Sequence, residues 1–292
     1  MTNKFMYILA FLVLTVTMCQ KPQPDPEPDP EPRPEPEIPC SVTFSPKINT
    51  FVTRAAENTF EDGDEISAYA CYDESLASSN YAQNVRYSFS QGLFQSQSPI
   101  KYPEVDAALT FYAIYPFGNY STPEMRFTVS NDQSTESAYS DSDLMTASSI
   151  AKGKKEVNLK FSHRLAKVVL DLAEVPSGEQ SVTFCNLYTS VDADIAENTY
   201  IETGSRYNVK ACPDGIDRFK VILPPQKIEA GTRFAEIAIG DKTFEWLADN
   251  DIYLSSGIEH KYVARIKENK LIFSAEINDW DKSSDEVDAD EK

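Results

Sequence analysis

Short apolar runs separated by turn residues make up most of this chain, and they constrain its fold more than any other feature. Runs of about four to eight residues with this alternation are typical of strands in β-sandwiches, not of strand–helix–strand units. No segment offers a long apolar run at helical spacing with good caps, so we predict an all-β fold with almost no long helix. The candidate strands are Glu65–Tyr72, Leu109–Tyr115, Met125–Val129, Glu156–Phe161, Ala166–Leu172, Ser181–Leu187, Phe219–Leu223, Phe234–Ile239, Lys242–Trp246, Lys261–Ile266 and Leu271–Ile277.

The number of candidate strands predicts more than one domain. More than ten strands between residues 40 and 282 exceed the roughly seven that a single sandwich needs. We therefore predict two stacked β-sandwich domains, residues 40–164 and 165–282, with their boundary near Phe161 to Lys167.

Composition excludes several classes of function. The chain has 27 Lys and Arg against 46 Asp and Glu, a formal net charge of -19, which would repel a phosphate backbone and makes nucleic acid an unexpected partner. With 2 His in all, His163 and His260, it has little material for histidine-based metal sites or acid–base catalysis. The scattered glycines form no phosphate-binding loop and no nucleophile elbow. We predict no enzyme activity, no metal and no cofactor.

The N-terminal segment reads as an export signal. Lys4 precedes an apolar stretch from Phe5 to Met18 that is too short for a spanning helix and fits a secretory signal, residues 1–19. The residues Val16-Thr17-Met18-Cys19 resemble a bacterial lipobox, which predicts acylation of Cys19, although Met18 departs from the small residue that the pattern has there. A plain signal peptide or an uncleaved anchor is the alternative.

Residues 20–39 predict an extended linker. Between Pro22 and Pro39 lie nine of the 18 prolines, alternating with mostly acidic residues, a composition that favours polyproline II. At about 3.1 Å per residue this stretch would act as a stalk on the order of 50 Å long. At the other end, residues 283–292 form an acidic tail with nothing to bury.

Other candidate sites favour structural roles. Cys40, Cys71, Cys185 and Cys212 show no metal-binding or redox spacing, and their disulfide state stays open. His163 is expected to be a hydrogen-bonded structural residue. The acidic pairs Asp62 with Asp64 and Asp141 with Asp143 could ligate calcium, but the favoured interpretation is that they are solvated charges on loops. The aromatic segment from Tyr115 to Pro123 is expected to pack its own loop; stacking on sugar rings is the alternative.

The segment from Cys40 to Arg54 has a pattern of its own. Its even positions are Val42, Phe44, Pro46, Ile48, Thr50 and Val52, and most odd positions are polar, which predicts one half-buried edge segment broken at Pro46. Burying Val42, Phe44, Ile48 and Val52 would contribute about 6 to 12 kcal/mol. That is comparable with the whole stability of a domain, about 5 to 15 kcal/mol.

Seven stretches resemble one family. They are TRAAENTFEDGDEISAYACY from Thr53, YPEVDAALTFYAIYPF from Tyr102, SDLMTAS from Ser142, VNLKFSHRLAKVVL from Val157, ILPPQKIEAG from Ile222, SSGIEHKYVARI from Ser255 and EINDW from Glu276. In this order and approximate spacing they are similar to the fimbrillins, the pilin and fimbria-like surface lipoproteins of Bacteroidales. The likeness runs from about Thr53 to Trp280.

This resemblance implies two tandem transthyretin-like β-sandwiches and a lipidated precursor carried to the outer membrane and cell surface. In the family's pilins an arginine-specific protease cuts in the N-terminal loop, and the matching bond here is Arg54–Ala55. Cleavage releases the strand that holds Val42, Phe44, Ile48 and Val52, and another fimbrial subunit then fills the groove by strand addition.

The resemblance thus predicts a structural subunit, or a tip or accessory component, of adhesive fimbriae. The absence of an apolar strand beyond Trp280 favours the tip or accessory role, unless Leu271 to Trp280 itself is donated. A monomeric, lipid-anchored module that binds glycan or host protein through its loops is the alternative.

Overall fold

A computed structural model describes residues 40–49, 59–72, 76, 81–105, 107–267 and 270–279. The predictions on Cys19, Val52, Arg54 and Ala55, on the signal and linker and on the acidic tail lie outside these residues. Within them, no helix has both the length and the apolar character needed to cross a membrane.

The described chain is almost entirely β-structure with one short helix, which confirms the predicted all-β class. The helix, α1, spans Glu136–Ser140, and its first turn is capped by Thr135 Oγ1, which accepts from the Ala138 N–H at 3.3 Å. The strands are β1 Thr43–Ile48, β2 Glu65–Cys71, β3 Ala82–Ser90, β4 Leu93–Gln95, β5 Ala108–Tyr115, β6 Glu124–Thr128, β7 Met145–Lys152, β8 Glu156–His163, β9 Ala166–Ala173, β10 Gln180–Asp194, β11 Thr199–Lys210, β12 Cys212–Pro213, β13 Arg218–Leu223, β14 Gln226–Ile228, β15 Arg233–Ile239, β16 Lys242–Leu247, β17 Ile252–Leu254, β18 Ile258–Lys267 and β19 Lys270–Asp279.

Strand prediction was accurate where the apolar pattern was strong. Each of the eleven candidate strands coincides with an observed one, from β2 to β19. Sequence reasoning missed the short strands β4, β12, β14 and β17, and it also missed longer strands whose composition is polar or small. Strand β7 reads MTASSIAK and strand β11 reads TYIETGSRYNVK, and neither shows the apolar alternation that marks a half-buried strand.

Seven strands from the first half of the described chain form a closed ring in the order β1-β4-β3-β2-β5-β7-β8. The ring encloses a core rich in aromatic side chains, in which the Phe60 ring contacts the rings of Phe94, Phe161 and Tyr115 at centroid distances of 4.9, 5.1 and 5.4 Å. Such edge-to-face contacts add to the stabilisation by burial. This core lies within residues 40–164.

The second half builds two five-stranded sheets. One has the order β11-β10-β15-β16, with β6 also pairing β10, and the other has the order β12-β13-β9-β18-β19. Side chains from both sheets share a second core, where the Phe234 ring lies 4.7 Å from Trp246 and 5.1 Å from Phe184. All buried members of this core lie in residues 166–264.

Strand β6 ties the two halves together. It follows the ring strand β5 in sequence, yet it pairs with β10 from Glu124 opposite Asp194 to Thr128 opposite Ser190. A third core contains residues from both sides of the predicted boundary, among them Tyr69, Phe127 and Ile222. By backbone contacts, the described residues from Cys40 to Asp279 group as one compact unit. The division into tandem sandwich domains at residues 164 and 165 stays a prediction.

Candidate assembly groove around the first strand

Strand β1 closes the ring by contacting a neighbour on each side. It pairs in parallel with β8 from Thr43 opposite Glu156 to Ile48 opposite Phe161. On its other side Phe44 pairs with Phe94 of β4. The prediction that this segment lies at the edge of a sheet is therefore wrong, because β1 has a neighbouring strand on each side in the ring.

The predicted break at Pro46 is also wrong, and the hydrogen-bond pattern explains why. The N–H groups of Thr43 and Asn49 donate to Lys155 O and Phe161 O of the β8 side at 2.8 and 2.9 Å. Successive N–H groups of a strand point to opposite sides, so the odd residues bond towards β8. Pro46 faces the β4 side, where the registered pairing stops at Phe44, and its missing N–H interrupts no ladder bond with β8.

The apolar side chains of β1 and of the residue before it fill the centre of the ring. Val42 and Phe44 are fully buried, as predicted, whereas Ile48 is only partly buried. The Phe44 ring lies 4.8 Å from that of Tyr87 and 5.5 Å from that of Phe111. Removal of this segment would expose aromatic rings on two other strands of the ring, β3 and β5.

Tyr87 fastens the same segment through its hydroxyl group. Tyr87 Oη donates to Val42 O at 3.2 Å and accepts from the Ile100 N–H at 2.8 Å. The Val42 N–H in turn donates to Ile100 O at 2.8 Å. Burial raises the pKa of Tyr87 to about 12, so this hydroxyl stays protonated at any physiological pH.

Both ends of the segment are also attached. The Tyr102 N–H donates to Cys40 O at 3.3 Å, and Asn49 Nδ2 donates to Ser162 Oγ at 2.8 Å. The segment is therefore held along its described length from Cys40 to Asn49. Its removal would open the ring and give β4 and β8 each an unpaired edge, which is a template for a new strand.

His163 has the structural role that its sequence context predicts. The ring is buried, and Nδ1 lies 3.0 Å from Oδ1 and 2.9 Å from Oδ2 of Asp143. Asp143 is therefore not the solvated loop charge that was expected, because it is buried beside this imidazole. The described residues contain no group of three or more His, Cys, Asp or Glu side chains that could hold a metal ion.

The second acidic pair, Asp62 and Asp64, serves the turn before β2. Asp64 Oδ2 accepts from the Glu61 N–H at 2.8 Å, and Tyr115 Oη donates to Asp64 Oδ1 at 3.3 Å. Burial raises the pKa of the Asp64 carboxyl above its usual range. Asp62 Oδ1 accepts from the Gln91 N–H at 3.3 Å. Asp64 thus fixes the turn before β2, and Asp62 connects that turn to the one between β3 and β4.

The aromatic segment after β5 packs its own loop, as predicted. Tyr115 is buried in the ring core, so its ring is not accessible to a sugar. Tyr120 Oη donates to Pro116 O at 2.9 Å, and its ring packs partly against the third core. The four described cysteines, whose pairing the sequence left open, are present as thiols: Cys40, Cys71, Cys185 and Cys212.

Comparison with known proteins agrees with the fold. The profile of a family described as fimbrillin-like matches residues 53–280. A Bacteroides ovatus protein, provisionally named fimbrium tip subunit Fim1C, is 27% identical over 131 residues, which cover 39% of this chain and 24% of that protein. The match thus spans about a quarter of that relative's length.

Two crystal structures of proteins provisionally described as cell adhesion proteins resemble this one. That from Bacteroides ovatus has a TM-score of 0.69 at 17% identity, covering 84% of this chain and 99% of the other. That from Bacteroides uniformis has a TM-score of 0.65 at 20% identity, covering 83% of this chain and 99% of the other. At these identities the likeness establishes a shared fold.

Proposed function

The chain belongs to the fimbrillin-like family, and from that premise we propose that it joins surface fimbriae by strand addition after cleavage at Arg54–Ala55. Membership makes it a fimbrial structural protein and not an enzyme. The route of assembly, the protease and the membrane anchor are the finer parts of the proposal.

The observation that carries the proposal is the position of β1 in the ring. A strand at the edge of a sheet can leave without opening the sheet, whereas loss of β1 would break a closed ring and uncover the Tyr87 and Phe111 rings. The resulting groove would need apolar side chains at alternate positions and main-chain hydrogen bonds along β8. An extended strand from another subunit would supply both.

The chain contains a segment whose sequence matches these requirements. The apolar positions before and within β1 read Val42, Phe44, Pro46 and Ile48, spaced by two residues. In β19 the same spacing gives Leu271, Phe273, Ala275 and Ile277, with phenylalanine at the second place in both sets. Strand β19 stands last in its sheet and pairs along its length with β18.

A β19 segment from a second copy is therefore the donor that we favour. To enter the groove, β19 would have to leave β18. A stalk subunit would both donate its β19 and accept a strand, whereas a tip subunit would only accept one. The match with a quarter of a relative named as a tip subunit supports the tip role as the alternative.

The parts before β1 would bring the protein to the surface. Acylation at Cys19 would anchor the precursor in the outer membrane, and the proline-rich linker of residues 20–39 would hold the folded part away from it. Cleavage after Arg54 would then separate the folded part from the anchor at the same time as it frees β1. One cut would couple release to assembly.

Treatment of the purified precursor with an arginine-specific protease tests this proposal. We expect N-terminal sequencing to find Ala55 first, followed by ladders of oligomers in gels. The matched control is Arg54→Lys, which keeps the positive charge but resists the protease. A fully cleaved protein that stays monomeric, with residues 40–54 still bound, would contradict strand addition.

The donor is tested separately with the variant Phe273→Asp. If β19 is donated, this variant is cleaved normally but does not form ladders. Adding uncleaved, unmodified protein, which can donate β19 but cannot accept a strand, then restores only pairs. Ladders of normal length would exclude β19 as the donor while leaving cleavage intact. A chain that remains a tethered monomer would be a binding module for glycan or host protein.

A further inference from the structure

A groove lies between the loop that follows β5, strand β6 and the β10–β11 hairpin. Its volume is about 730 Å³, within the range of about 300 to 1,000 Å³ of small-ligand sites. It belongs to neither the β1 ring nor the proposed donor strand. Its lining includes Asn119, Tyr120, Arg126, Asp192, Asp194 and Ile201.

The loop that forms one wall of the groove is fixed by hydrogen bonds. Gly118 O accepts from Ser67 Oγ and from Asn84 Nδ2, each at 3.1 Å, and the Gly118 N–H donates to Ser67 Oγ at 3.2 Å. A Cβ atom at Gly118 would lie 2.4 Å from the Tyr120 ring, so the ring sits directly on this glycine. The wall is therefore ordered before any ligand arrives, which lowers the entropic cost of binding.

The opposite wall is fixed at the turn of the hairpin. Asp194 Oδ1 accepts from the N–H groups of Ala196 and Glu197 at 2.9 and 3.0 Å. Across the floor, Arg126 Nε and Nη2 donate to the two oxygens of Asp192 at 2.7 and 3.0 Å. This pair uses two of the five N–H donors that a guanidinium group has.

The lining combines an apolar surface with hydrogen-bonding groups. The accessible apolar surface of the groove comes from Ile201, which is 63% exposed, and from the half-buried Tyr120, whereas Met125 is buried in the third core. The groove is also lined by Asn119, Ser121 and Thr199, whose side chains carry an amide and two hydroxyls. A sugar ring offers the complementary chemistry, a face of C–H groups surrounded by hydroxyls that both donate and accept.

The charge of the lining selects among sugars. Glu124, Asp192 and Asp194 carry three negative charges against one positive charge on Arg126, so the groove has a net charge of two negative. The whole chain adds to this field with a formal net charge of -19. Uronic acids, sulfated sugars and sialic acids would be repelled, whereas uncharged sugars would not be.

We propose that this groove binds neutral oligosaccharides. The site needs no cleavage and no second subunit, because all its walls come from one chain. It would serve equally a fimbria with the groove exposed along its length and a single tip subunit. The oligosaccharide proposal could therefore fail while strand addition holds, and strand addition could fail while sugar binding holds.

Isothermal titration of the intact protein with cello-, manno- and galacto-oligosaccharides tests the site, with oligogalacturonates as the acidic control. We expect binding of at least one neutral series and none of the oligogalacturonates. Asn119→Ala and Ile201→Ser should each weaken that binding at least tenfold without lowering the thermal midpoint. The matched control is Ile216→Ser, since Ile216 is 91% exposed on the β12–β13 turn outside the groove.

Three results would overturn the proposal. They are the absence of binding to every neutral series, equal binding of the oligogalacturonates, and unchanged affinity in both groove variants. Binding of oligolysine in place of the sugars would also overturn it, because it would assign the groove to basic peptide segments.

Discussion

Gln133 forms two hydrogen bonds with the backbone of Ile222, although the two residues lie 89 positions apart. Gln133 Nε2 donates to Ile222 O at 2.8 Å, and the Ile222 N–H donates to Gln133 Oε1 at 2.9 Å. Strand β12 pairs with β13 only at Phe219 and Lys220, so the amide continues the ladder where β12 has ended. A side chain from the segment between β6 and α1 thus completes the edge of a sheet in the second half.

We expect Gln133→Ala to destabilise the protein by about 2 to 4 kcal/mol, because it leaves a buried N–H and a buried C=O without partners. Gln133 is fully buried, so water cannot replace the lost amide without rearrangement. Urea unfolding followed by fluorescence measures the change. Gln95→Ala, at an exposed position of β4, is the control and should leave the midpoint unaltered; an equal loss in both variants would refute the explanation.

Lys220 provides a second connection between the two halves. Its side chain is 4% exposed, Nζ lies 3.0 Å from Glu136 Oε2 of α1 and 3.6 Å from Asp214 Oδ1, and the ammonium lies 4.4 Å from the centre of the Tyr139 ring. The aliphatic part of the side chain is buried, whereas both carboxylate partners remain partly exposed to water.

Substitutions of Lys220 separate packing from charge. Lys220→Ala should cost about 2 to 3 kcal/mol because it removes a buried aliphatic chain. Lys220→Met should cost less than about 1 kcal/mol, since it retains the volume and removes a charge whose desolvation offsets its ion pairs. Urea midpoints of the two variants decide this point. A loss with methionine as large as with alanine would mean that the ion pairs dominate.

The strands were predictable from sequence where side chains alternate, as in β8 with Val157, Leu159 and Phe161 on its buried face. Pro46 misled the prediction because its effect depends on which side of the strand lacks a partner, and sequence does not specify that. The role of Gln133 depends on a contact with a distant strand, and no local pattern marks it. The oligosaccharide groove likewise brings together Asn119 and Ile201 only through the pairing of β6 with β10.

Alanine substitutions at Gly153 and Gly240 measure how much stability is lost when a side chain meets a nearby backbone carbonyl. Both have a φ of +59°, but a Cβ at Gly153 would lie 2.4 Å from Val105 O, whereas nothing lies within 4 Å of a Cβ at Gly240. Gly240→Ala should cost about 1 to 2 kcal/mol from backbone strain alone. Gly153→Ala should cost more, by about 1 to 3 kcal/mol, because the Val105 carbonyl must move. Thermal unfolding of both variants measures the difference, and equal losses would show that the loop yields freely.

The burial of the His260 imidazole predicts how the stability of the protein depends on pH. It lies in β18, it is buried, and its Nε2 accepts from the Ser255 N–H at 3.2 Å, which requires a neutral ring. Within the described part of the chain, Nδ1 has no hydrogen-bond partner that could stabilise a positive charge. Burial lowers the pKa of His260 to about 4, from 6.5 in an exposed histidine.

Because the folded protein has the lower pKa, the unfolded chain binds the proton more readily between pH 6.5 and about 4. Stability from this residue is complete above pH 6.5 and falls as the pH is lowered through that window, by about 3 kcal/mol in total. His260→Gln removes the titrating group, so its unfolding free energy should decline less over this window than that of the unmodified protein. Urea unfolding at pH 7.5, 6, 5 and 4 measures both slopes, and the comparison subtracts the carboxylates common to the two proteins. Parallel slopes would mean that His260 is protonated in the folded state without cost.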